Sequence, residues 1–267
     1  MAHLAQLFFI FFSALITVNF SAYADNAPYK PNSNTWVLHS SEQQVLLLGV
    51  EHSYDASHPQ FADIEKMYQA FKPTLILLEG GNWPTKASQQ AAIDCCGEMG
   101  FLQYLAQQDG VKVKTWEGSS VDESKFVLEK HSKEKLKLFY VLRQLPQILR
   151  DNNEQTTLEE ISTLLGSTGM PAMEYQLSGK PTNIDDINNQ LALISNKTIA
   201  WHDFTSAARF DDIISSPGFE ELAAIKDRVN SFRDKSAIEQ LNNARQANER
   251  VLLIMGKLHF RPIMASL

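Results

Sequence analysis

Residues 46–58 read LLLGVEHSYDASH, an apolar run that passes through one glycine into a glutamate and two histidines. A short unbroken apolar run bounded by polar residues is what a strand buried on both faces requires, as in a parallel sheet covered by helices. Such a strand must end where the core opens to water, so its ionisable tail belongs at a sheet edge.

The pattern repeats outward from here. WVLH at 36–39, the turn SSEQ and VLLLGV at 45–50 predict a hairpin. Phe61, Ile64, Tyr68 and Phe71 recur at helical spacing, and Pro73 closes that helix before the apolar run TLILLEGG. This predicts a β-α-β unit. After the polar segment NWPTKASQQ, FLQYLAQ at 101–107 predicts a helix that ends near Asp109 and Gly110, and VKVKTWEG then predicts a third parallel strand.

Residues 122–213 are polar and helix-leaning, without a repeat or a Gly/Ser-rich linker, and predict a helical insertion or cap on the sheet. Charge runs such as HSKEKLK within it suit a solvated helix face. Farther on, Ser231 and Asp234 are spaced as in a capping box, which predicts a helix starting near Arg233 and running about four turns to the strand VLLIMG. The expected fold class is α/β, a mainly parallel sheet flanked by helices, in one domain over 25–267.

In a parallel sheet the carboxyl ends of the strands share one edge, where ligands usually bind. VLLLG leads into Glu51 and His52, TLILL into Glu79, VKVKTW into Glu117 and VLLIMG into His259. A helix that connects to a parallel strand starts at that edge, so Arg233 is expected there too. Each residue alone has an ordinary explanation, a solvated glutamate or a structural histidine. Their shared placement predicts one site.

Composition narrows the function. The chain has 267 residues, of which 44% are hydrophobic and 21% charged, as in an ordinary globular protein. An apolar run from Leu4 to about Val18, followed by Ser21, Ala22, Tyr23 and Ala24, predicts a secretory signal peptide over 1–24, and hence a secreted or periplasmic protein with no membrane span after cleavage. The segment lacks charged residues, so the net charge of −7 belongs to the remainder and argues against nucleic-acid binding. The only cysteines, Cys95 and Cys96, are neighbours and cannot staple distant segments. Buried thiols or a local or intermolecular disulfide are expected. There is no G-x-S-x-G, phosphate loop or dinucleotide fingerprint. His58, before Pro59, is expected in an exposed turn.

The segment Gly49-Val50-Glu51-His52 resembles the G-x-x-H motif of the erythromycin esterase, ChaN, TraB and TIKI superfamily. The order of the other pieces is similar: Lys72-Pro73 and then Glu79 closing the next strand, the pair Arg233 and Asp234, and Gly256 to His259 after the last strand. The resemblance spans roughly 45–117 and 231–262. It departs at Val50, where esterase-like members carry an acid, and at Lys257-Leu258, where TraB-like members carry a glycine-rich turn.

Imidazoles and carboxylates are donors suited to a divalent metal (Zn, Mn or Co), which makes His52, Glu79, Glu117 and His259 candidate ligands. A metal there would acidify water for attack on an ester, amide or peptide bond, and the TIKI branch implies a metal-dependent peptidase. Arg233 would hold a substrate carboxylate or the developing oxyanion. The esterase branch instead implies His52 as a metal-free base oriented by a glutamate. Glu51 is a further member of the set. A small-molecule or peptide substrate is expected on either route; the ChaN branch implies haem or iron binding, and a noncatalytic interaction role is the third reading.

Overall fold

The computed structural model describes residues 29–40, 42–165, 179–195 and 198–267. The expected signal peptide lies outside the described residues. Among those described, no helix is long and apolar enough to cross a membrane.

Strands β1 (Trp36–Ser40) and β2 (Val45–Val50) form the expected antiparallel pair, Trp36 opposite Gly49. With β3 (Leu75–Leu78), β4 (Lys112–Thr115) and β5 (Val251–Gly256) they make a sheet of order β1-β2-β5-β3-β4, parallel everywhere except the first pairing. The last strand in sequence therefore lies between β2 and β3. All of β2 and β3, and β5 up to Met255, are buried, which accounts for runs such as VLLIM lacking any polar alternation. The edge strand β4 instead alternates, with Lys112 and Lys114 exposed, a sequence that resists pairing with a stray strand.

Helices cover both faces. Helices α1 (Pro59–Phe71) and α2 (Gln89–Asp109) pack Phe61, Ile64, Phe101 and Leu102 against Leu46, Leu48, Ile76 and Ile254. His58 caps the start of α1, its ring accepting from the Gln60 N–H, and Pro59 fills the first turn, where a missing N–H is harmless. Helix α2 starts well before the expected helix at 101–107, because Ser88 caps it and residues 89–100, only the first two of which belong to the polar segment, supply its first turns. It ends, as expected, on Gly110 in the left-handed conformation.

Between β4 and β5 lie α3 (Ser120–Leu128), α4 (Lys133–Asp151), α5 (Glu154–Leu165), α6 (Ile184–Ile194), α7 (Ala207–Ile214) and α8 (Glu220–Gln246); α9 (Lys257–Met264) follows β5. Helix α8 corrects the sequence reading. It begins at Glu220, not near Arg233, and passes uninterrupted through the Ser231 to Asp234 segment because no Gly or Pro falls between 220 and 246. Leu222, Ile225 and Val229 in its first half join an apolar cluster with Leu138, Phe139 and Leu142 of α4. Ala237, Leu241 and Ala244 in its second half join the sheet's other face with α9. Arg233 lies between the two sets.

Gly49 has a steric reason to be glycine. The buried Phe260 ring of α9 lies over it, and a carbon added at Gly49 would stand 2.8 Å from Phe260 Cδ2. Replacement Gly49→Ala is expected to destabilise the protein by about 1–3 kcal/mol through overpacking. The check is urea unfolding, in which the midpoint falls while the slope is unchanged.

Candidate functional site

The parallel strands deliver their ends to one edge, as the sequence predicted. Glu79 follows β3 directly, and Glu117 follows β4 after Trp116. Arg233 reaches this edge from the middle of α8. Its Nη2 donates to Glu79 Oε1 at 2.8 Å and to Glu117 Oε1, and its Nη1 donates to His259 Nε2 at 3.1 Å. A guanidinium only donates, so His259 Nε2 accepts and the ring proton sits on Nδ1, donated to Asp234 Oδ1 at 2.6 Å. The indole of Trp116, fully buried, packs against both Arg233 and His259 and donates to the Ile254 carbonyl at 2.9 Å.

Glu79 is the most constrained carboxylate. Burial alone would raise its pKa, yet the Arg233 charge and the Gly256 N–H, 2.6 Å from Oε2, overcome that and hold it down to about 2. Burial likewise opposes the charge on Arg233, and Glu79 and Glu117 outweigh it, pushing that pKa up. Both groups are therefore ionised throughout the neutral range.

His52 sits differently. Its side chain is 55% exposed, and its Nδ1 stands 3.5 Å from Glu98 Oε2, whose own side chain is 2% exposed. Glu98 is fixed by the Ser53 N–H at 2.5 Å and by Gln60 Nε2 at 2.7 Å. The hydrogen-bonding carboxylate raises the His52 pKa against the opposing effect of burial. A carbon added at Gly256 would lie 3.3 Å from His52 Nε2 and 3.5 Å from Glu79 Oε2, so both groups flank one point. His52 Nε2, which has no hydrogen-bond partner among the described residues, thus lies near the same glycine as the ionised carboxylate.

A local break in α2 positions Glu98. Gly97 has φ 56° and ψ −139° inside the helix, and any side chain there would run into the Ser53 carbonyl, 2.8 Å from the added carbon. Cys95 and Cys96, immediately before it, form a disulfide with each other, and Cys96 lines the cavity.

That cavity, of about 560 Å³, opens between the strand ends and helices α3 and α4. His52, Glu79, Glu117 and Arg233 line it, and Glu98 forms part of its floor. His259 is 4% exposed, lies behind Arg233 and has both nitrogens engaged. Glu51 turns outward, where Lys257 Nζ at 2.7 Å and Asn34 Nδ2 at 3.0 Å hold it and the lysine lowers its pKa. The structure therefore brings together five of the six predicted residues, one of them as an inner support, and leaves Glu51 on the rim.

The candidate metal ligands do not meet at a point. The Arg233 guanidinium stands among Glu79, Glu117 and His259, where an ion would have to sit, and the Glu79 oxygens and His259 nitrogens are already used. Among the described residues, no three His, Cys, Asp or Glu side chains are grouped as a metal shell requires. In this arrangement the four residues do not fit a divalent ion.

Sequence reading missed Glu98 and the whole contribution of α4. Nothing in DCCGEMG marks one acid as buried. The α4 wall did carry a signal: Tyr140, Arg143, Gln144 and Gln147 fall at i, i+3, i+4 and i+7, a polar stripe beside the apolar residues Phe139, Leu142 and Leu145. Tyr140 donates to Glu123 Oε1, and burial raises both pKa values, so the phenol remains a proton donor.

Comparison with protein-family models, curated proteins and solved structures returned no match.

Removing Glu79's charge leaves Arg233 buried with less compensation, so Glu79→Gln is expected to cost about 3–5 kcal/mol at neutral pH. Because the folded pKa is lowered to about 2 from 4.5, this stabilisation is complete above pH 4.5 and fades as pH falls toward 2. Urea midpoints for wild type and variant across that range should converge on acidification.

Proposed function

We propose that the chain is a hydrolase acting on an ester, amide or peptide bond, with His52 as the general base. The observation that carries this reading is the half-exposed imidazole set between buried Glu98 and the cavity. Glu98 orients the ring through Nδ1, leaving Nε2 to take a proton from water. The water oxygen attacks the carbonyl carbon, and His52 returns the proton to the leaving alkoxide or amine. Glu79, held ionised, favours the imidazolium formed in between. Arg233 lines the same cavity and supplies positive charge where the carbonyl oxygen becomes negative.

The resemblance to the erythromycin esterase, ChaN, TraB and TIKI superfamily offers this metal-free route beside a metal-dependent one. We adopt the former because Arg233 holds the place a metal would take. Helices α3 to α7 are read as a cap over the sheet edge, and the chain as an exported protein, a setting suited to a Cys95–Cys96 disulfide.

The test is hydrolysis of para-nitrophenyl esters and fluorogenic peptides, with elemental analysis and an optical spectrum on the same preparation. Activity without stoichiometric Zn, Mn or Co, abolished in a folded His52→Ala, is the expected result. Near-stoichiometric metal lost with His52→Ala would restore the metal route, and a haem spectrum would replace hydrolysis with ligand carriage.

The pH profile tests Glu98 separately as a positioning residue. A base must be deprotonated, so activity should rise with pH through a midpoint above the ordinary 6.5 of histidine. Glu98→Gln should lower kcat and move that rise to lower pH, a shift that a purely structural role would not produce.

A further inference from the structure

The cavity holds two arginines in unlike states. Arg233 is 5% exposed and its guanidinium already carries two carboxylates and an imidazole. Arg143, one wall away on α4, lines the same cavity with no hydrogen-bond or ion-pair partner among the described residues.

The neighbouring acids do not supply one. Glu79 is bound to Arg233 and the Gly256 N–H, Glu117 to Arg233, and Glu123 to the Tyr140 hydroxyl. Glu79, Glu117 and Glu123 act on Arg143 only through space. Beside it on the same helix face, Gln144 and Gln147 add two amides that can donate to the same ligand.

We propose that Arg143, with Gln144 and Gln147, forms a carboxylate-binding subsite, so that the substrate carries a carboxylate apart from the bond that is cut. A planar guanidinium matches a carboxylate with two parallel N–H donors, and such a charge-assisted pair is strong where water is scarce. Of the two roles expected of Arg233, holding a substrate carboxylate thereby falls to Arg143, and the developing oxyanion stays with Arg233.

Burial, and then the charge of Arg233, lowers the Arg143 pKa. The negative charge of an arriving anion offsets both effects. Three apolar lining residues define the rest of the ligand. Trp83 is fixed by its N–H to the Glu79 carbonyl at 2.7 Å, and the Tyr54 ring lies under the Arg150 guanidinium at 4.0 Å. With Met99 these rings give the cavity an apolar side, suited to an aromatic or aliphatic body ending in the carboxylate.

The inference rests on the hydrolase reading for the fate of the ligand, but binding can be read without turnover. The experiment measures equilibrium binding of hydrocinnamate and of its neutral amide to the purified protein, by calorimetry or ligand-observed NMR. Wild type should bind the carboxylate about tenfold more tightly than the amide, the effect of one hydrogen-bonded charge. Arg143→Gln, with its circular dichroism unchanged, should bring the ratio near one, and Arg143→Lys should keep part of it.

Equal binding of the two probes by wild type, or a preference that survives in Arg143→Gln, overturns the proposal. Ester hydrolysis that needs His52 but shows no carboxylate preference leaves the hydrolase and removes the subsite. A carboxylate preference without hydrolysis leaves the subsite and removes the hydrolase.

Discussion

The buried guanidinium of Arg233 is the constraint on which the site depends. It ties together the ends of β3 and β4, the first turn of α9 and the middle of α8, and its bond to Glu79 alone spans 154 residues of sequence. Placing such a charge out of water is costly, and two carboxylates with a neutral imidazole offset that cost only if all are correctly aimed. The cluster therefore contributes less to net stability than to register. It leaves the strand ends one arrangement in which Arg233, Glu79, Glu117 and His259 are all paired, and His52 and Glu98 stand beside it.

The two glycine-x-x-histidine segments show how identical spacing can lead to different roles. They follow β2 and β5, neighbours in the sheet, with Val50 opposite Gly256. After Gly49 the chain continues as strand and then as an extended segment, which carries His52 out to the cavity. After Gly256 a helix begins at once, and its first turn swings His259 inward beneath Arg233. One histidine is left on the cavity wall. The other fixes the arginine from behind and is itself fixed by Asp234.

Legibility in the sequence followed the range of the interactions involved. The buried strands could be read because burial on both faces removes polar residues from a run such as VLLLGV, and strand ends could be aligned because parallel pairing is directional. The edge carrying His52, Glu79 and Glu117 was therefore visible, and Arg233 was placed there, although for the wrong reason. Helix α8 was shortened because Ser231 and Asp234 mimic a cap, a local signal overruled by packing along the whole of 220–246. Glu98 was invisible because its burial depends on a left-handed kink at Gly97 inside a helix and on contacts to Ser53 and Gln60, 45 and 38 residues away. Glu51 looked like a site member because it adjoins His52, yet alternation along an extended chain sends neighbours to opposite sides. Lys257 waits on that other side.

Helix α8, at 27 residues and about 40 Å, also bears on how the molecule comes apart. Its first half is a wall of the helical cluster and its second half a wall of the sheet, with no glycine or proline to serve as a breaking point. Fraying either half strips apolar surface from one cluster and loosens Arg233, which sits where the two meet. The helical layer and the sheet are thus linked in cooperativity, and the cavity between them belongs to a single unfolding unit rather than to a seam between two.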